Sequence, residues 1–69
     1  MKIKFTQECL LCVISQIYDD PQEIYEEFHK DESYEGELLE EIEEEINFQF
    51  GDGSCVYGLP KKFIEILEE

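Results

Sequence analysis

Few side chains in this chain have conventional site chemistry. Cys9-Leu-Leu-Cys12 has the CxxC spacing, Cys55 stands well downstream, and His29 is the single histidine. Together they match the ligand count of a tetrahedral zinc site. Zinc knuckles, however, present their ligands on paired turns with glycine. This CxxC lies inside the apolar run Cys9-Leu-Leu-Cys-Val-Ile14, and there is neither a second CxxC nor an HxxxH. The thiols read better as small core hydrophobes, and no metal is assigned. A thioredoxin-like redox pair needs more length and an alternation of strand and helix that the chain lacks. Three cysteines do not suggest a disulfide scaffold. His29, on a polar stretch, reads as a surface residue rather than a catalyst.

Carboxylates dominate instead. The 69 residues carry 19 acidic and 5 basic side chains, a net charge of −14, with a pI near 4.1. Residues 19 to 45 hold 14 of the 19 acids and a single base, Lys30. An EF-hand loop needs acids at alternate positions, then a glycine and a terminal Glu, and neither Asp19-Asp20 nor Asp52-Gly53 satisfies it. Acid/base catalysis needs a cleft that shifts pKa values, and so short a chain offers little concavity. P-loop, nucleophile-elbow and dinucleotide motifs are missing. An enzyme is not expected, nor a cofactor. The negative balance also excludes nucleic-acid binding through a basic groove and disfavours anionic lipid surfaces.

Within the acidic region, Leu38, Leu39, Ile42 and Ile46 recur at spacings of three and four, which predicts a helix over 35–46 with one apolar stripe. Five of the six residues from Glu40 to Glu45 are acidic. On a helix that is one negative charge per roughly 1.8 Å of axis, close to the ~1.7 Å of duplex DNA. Like charges three or four apart cost such a helix ~0.2–0.5 kcal/mol each. The run therefore reads either as a selected interaction surface or as a solvated face that drifted acidic.

The elements that must position these residues follow from periodicity. Met1-Lys-Ile-Lys-Phe5 alternates and predicts a short strand over 1–5. A helix capped by Thr6 is expected over 7–18, with Leu10, Val13, Ile14 and Ile17 inward. A second, with Pro21 in its first turn, is expected to about His29, burying Ile24, Tyr25 and Phe28 and exposing Glu23, Glu26 and Glu27. Asn47-Phe-Gln-Phe50 and Cys55-Val-Tyr57 flank Gly51-Asp-Gly-Ser54 and predict a β-hairpin over 47–57. Pro60 opens a last helix with Phe63, Ile64 and Leu67 inward. The expected fold class is α+β: three to four short helices packed on a small antiparallel sheet, as one domain over 1–69. Hydrophobic residues at 42% and aromatics at 13% argue for a folded chain. The six-residue apolar run after Glu8 is too short for a secretory signal or a membrane span, so a cytoplasmic protein is expected.

A short chain whose carboxylates crowd one side, here Asp19 to Glu45, resembles the DNA-mimic proteins that bacteriophages make against host defence or repair enzymes. Anti-restriction, anti-CRISPR and uracil-glycosylase inhibitors include such proteins. The resemblance rests on composition over about 27 residues. It implies a non-enzymatic inhibitor whose carboxylates stand in for phosphates on the basic surface of a nuclease, defence effector or repair enzyme, in the host cytoplasm if phage-encoded. The candidate partner-binding residues are Glu23, Glu26, Glu27, Glu37, Glu40, Glu41, Glu44 and Glu45, with Tyr18, Tyr25 and Tyr34 as aromatic contacts. The alternative is an interaction module or homodimer that docks through an apolar helix over 9–18, its acids serving solubility.

Overall fold

The computed structural model describes residues 1–15 and 20–68. Within them the chain is almost entirely antiparallel sheet: β1 (Lys2–Phe5), β2 (Cys9–Ser15), β3 (Gln22–Phe28), β4 (Ser33–Glu41), β5 (Glu45–Phe50), β6 (Cys55–Pro60) and β7 (Ile64–Glu68), with one 3₁₀ turn at Lys61–Phe63. The seven strands form one sheet in the order β3-β2-β6-β5-β4-β1-β7. The expected α+β class is therefore overturned. The strand over 1–5 and the hairpin over 47–57 are present, but the described residues of every segment expected as a helix are extended or turn, residues 16–18 of the expected 7–18 helix lying outside them. No helix among the described residues is long and apolar enough to cross a membrane.

The period-two pattern explains each replacement. In β2, Cys9, Leu11, Val13 and Ser15 alternate with Leu10, Cys12 and Ile14, and the strand pairs with β3 on one side and β6 on the other. The β3 ladder runs the whole strand and the β6 ladder covers Val13 and Ile14, so the apolar run suits a strand that is interior at its C-terminal half. In β4, Tyr34, Gly36 and Leu38 turn inward and are partly buried, while Ser33, Glu35 and Glu37 turn outward and are exposed. The alternation then breaks, because the register with β5 jumps between Leu38 and Glu40 and leaves Leu39 as the extra residue of a bulge. That bulge, with the turn that follows, produces the helix-like spacing of Leu38, Leu39, Ile42 and Ile46. Leu39 and Ile42 are in fact exposed, and Ile46 belongs to β5.

The inward residues Ile3, Phe5, Val13, Phe28, Ile46, Phe48, Phe50, Val56, Leu59 and Ile64 make one core. Each fully buried side chain of this size contributes ~1.5–3 kcal/mol. β3 and β1 lie near opposite ends of the strand order, yet the Phe28 and Phe5 rings stack with centroids 4.6 Å apart. Phe28 also meets Phe50 at 5.6 Å and the edge of Tyr34 at 5.5 Å. The sheet is therefore curled around an aromatic cluster, with one concave packed face and one convex outer face. The connection from β3 to β4 closes the curl: Asp31 N–H donates to the Phe5 carbonyl at 2.8 Å, and Phe5 N–H to that of Glu32 at 2.8 Å.

Candidate protein-binding face

Strand alternation, rather than helical rows, decides where the carboxylates point. At ~3.3 Å per residue an acidic run carries about half the linear charge density of the expected helix and divides it between two faces. Glu35, Glu37 and Glu40 of β4 are exposed on the convex face. Glu45 of β5 joins them, its carboxylate lying over Gly58, 3.3 Å from where a Cβ would stand there. Successive outward residues on one strand are ~7 Å apart, and neighbouring strands ~4.8 Å, so these acids form a patch and not a line.

Two bulges shape this patch, and one side chain ties them. Asn47 donates through Nδ2 to Glu40 Oε2 at 3.2 Å and accepts the Gly58 N–H through Oδ1 at 2.9 Å. Glu40 follows the β4 bulge, and Gly58 lies in the β6 bulge, where the β5 register jumps between Ile46 and Phe48. Gly58 has φ of 75°, a conformation that suits glycine. Neither Asn47 nor Glu35 was among the expected contact residues, and nothing in the sequence marked Asn47 as part of the face. The Ser33-Tyr-Glu-Gly-Glu-Leu38 alternation was the available signal for Glu35.

The other candidate carboxylates separate into distinct settings. Glu23 and Glu27 of β3 stand opposite Ile14 and Leu10 of β2, on the convex face. Glu26 turns to the opposite side, towards Tyr34, whose hydroxyl pKa is raised by desolvation on burial first and then by the charges of Glu32 and Glu26. Glu41 is in an ion pair with Lys61 at 2.8 Å. Glu44 lies in the turn between β4 and β5, and its carbonyl accepts the Lys61 N–H at 2.9 Å. Glu26, Glu41 and Glu44 therefore leave the single surface expected of them. Of the aromatic contacts, Tyr25 is 75% exposed, whereas Tyr34 packs edge-on against Phe5 at 5.8 Å. Tyr18, like Ile17 and Asp19, lies outside the described residues.

Between the β3 acids and the β4 and β5 acids runs an uncharged band of the convex face. Leu10 is 62% exposed and Tyr57 56% exposed, with the half-buried Cys12 and Ile14 between them and Cys55 buried beneath. β2, β3, β5 and β6 contain no Lys or Arg. From β3 to β4 is four strand steps, ~19 Å along the sheet. Cations border this face on β1: Lys4 meets Glu65 of β7 at 3.5 Å, and Lys2 stands opposite Glu35 of β4 and Glu68 of β7 in register.

The cysteine and histidine constellation does not assemble. On a strand, residues three apart face opposite sides, so Cys9 and Cys12 diverge. Burial pushes the Cys9 thiol up from its ordinary value, which disfavours the thiolate. His29 Nδ1 instead lies 3.4 Å from Glu8. Among the described residues no three His, Cys, Asp or Glu side chains stand close enough together to hold a metal ion. Comparison with protein-family models, with curated proteins and with solved structures finds no match.

Proposed function

We propose that this chain is a non-enzymatic binding protein whose convex sheet face docks on the basic, nucleic-acid-binding surface of another protein. One observation carries the reading. Glu35, Glu37, Glu40 and Glu45 share that face beside an exposed apolar band, and none of the four is in an ion pair among the described residues, although Lys2 of β1 stands opposite Glu35 in register. Lys or Arg side chains arrayed for phosphates could meet carboxylates at these spacings, and steering by the net charge of −14 would speed the encounter. Leu10, Tyr25 and Tyr57 supply apolar and aromatic area that carboxylates cannot. The same chemistry would suit an inhibitor of the DNA-mimic kind acting in the cytoplasm.

The test is affinity capture followed by displacement. Proteins retained on immobilised chain at physiological salt should be nucleic-acid-binding proteins. A short DNA duplex added at constant ionic strength should release them. Retained partners that duplex leaves in place would contradict the reading.

A second reading is favoured by Leu10 and Tyr25 themselves: two copies could cover the band face to face. Their carboxylates would then approach one another, so self-association should appear in light scattering only as salt is raised.

A further inference from the structure

We propose that the open edge of β3 accepts an extended, Lys/Arg-containing segment of the partner protein as an eighth strand. β3 ends the sheet and pairs with β2 through all seven of its residues, from Cys9 opposite Phe28 to Ser15 opposite Gln22. Six of those seven residues are exposed. In an antiparallel pair, alternate residues turn their N–H and C=O groups away from the neighbour. β3 therefore offers a row of backbone donors and acceptors on its far side, the template used in strand-addition recognition. The opposite end of the sheet is less suited. β7 has five residues, and its register with β1 jumps at Leu67, a bulge that disrupts the ladder near its end.

The side chains of β3 select the occupant. Glu23, Tyr25 and Glu27 project on the convex side, and Ile24 and Glu26 on the other. Side chains directly opposite on paired strands attract or repel by charge. A second copy fails this criterion: antiparallel pairing of all seven residues sets Glu23 against Glu27 twice, and parallel in-register pairing sets each acid against itself. A strand with Lys or Arg opposite Glu23, Glu26 and Glu27, and apolar residues opposite Ile24 and Tyr25, satisfies every position. The neighbouring β2 has no charged side chain to neutralise these acids in its place. That the partner is basic rests on the proposed function; that it binds as a strand does not.

The experiment titrates the ¹⁵N-labelled full chain with the synthetic peptide Thr-Lys-Lys-Val-Val-Lys-Thr at physiological salt. Two further peptides are N-methylated at alternate residues, one in each phase. Saturable amide shifts centred on residues 22–28 are expected. One methylated phase should bind about tenfold or more weaker, because its blocked N–H groups are those that bond to β3, and the other phase should bind like the parent. Equal binding by all three peptides would overturn strand addition in favour of plain charge attraction. Shifts confined to β4 and β5 would overturn the edge site while leaving the convex acidic face in place. No shift anywhere would overturn the edge site too, and the duplex-displacement assay would still judge the function independently.

Discussion

Gly36 shows how tightly single residues constrain the packed side of this sheet. A Cβ there would collide with the Gln49 carbonyl oxygen across the ladder and approach the Phe48 ring at 2.7 Å. Gly36→Ala should therefore destabilise by about 1–3 kcal/mol, lowering the melting temperature by roughly 4–8 °C per kcal/mol, as thermal denaturation would measure. Asp52 gives the residue-scale pH dependence. Its Oδ1 accepts the Ser54 hydroxyl at 2.6 Å and the Ser54 N–H at 2.9 Å, and these bonds hold its pKa below the ordinary value of 3.8. A group depressed on folding stabilises above its unfolded pKa and loses that contribution as pH falls through the folded one. Asp52→Asn should thus lose stability relative to the parent at pH 6, and the difference should shrink below about pH 4. The concentration of acids between residues 19 and 45 was legible in the sequence. Which acids share a face was not, because a one-residue shift of strand register or a bulge moves every following side chain to the other side.

At the scale of elements, the strands that could be read were those with clean alternation. Met1-Lys-Ile-Lys-Phe5 and Asn47-Phe-Gln-Phe50 announce themselves, and they became β1 and the end of β5. β3 and β4 hid for physical reasons. Ile24, Tyr25 and Phe28 match a helical face, yet β3 is an edge strand that buries only Phe28, so its pattern carries little of the period-two signal. Glutamate favours helices, but in β4 cross-strand packing of Tyr34 and Leu38 overrides that preference. The bulges that scrambled the pattern are held by Asn47, which bridges Glu40 and Gly58. Asn47→Ala removes both bonds and leaves the Gly58 N–H short of its partner. It should cost about 1–3 kcal/mol and shift the amide resonances of residues 39–41 and 57–59 more than those of β3.

At the scale of the molecule, Phe28 joins the two ends of a curled sheet that carries a net charge of −14. Self-repulsion among like charges opposes so compact a state, and salt screens it. The melting temperature should therefore rise between 20 mM and 500 mM sodium chloride, where a protein held by ion pairs would fall. The same field would steer the chain to a basic partner, but steering responds to total charge and docking to position. The most direct measurement compares two triple variants of equal charge against a partner captured by the duplex-displacement assay. Glu35→Gln, Glu37→Gln and Glu40→Gln neutralise the outward acids of β4. Glu41→Gln, Glu43→Gln and Glu44→Gln neutralise the end of that strand and the turn beside Lys61 and Lys62. The first set should weaken the Kd at physiological salt by about tenfold or more, ~1.4 kcal/mol, and the second by much less. Equal losses from the two sets would contradict the claim that the convex face of the sheet is the surface that binds.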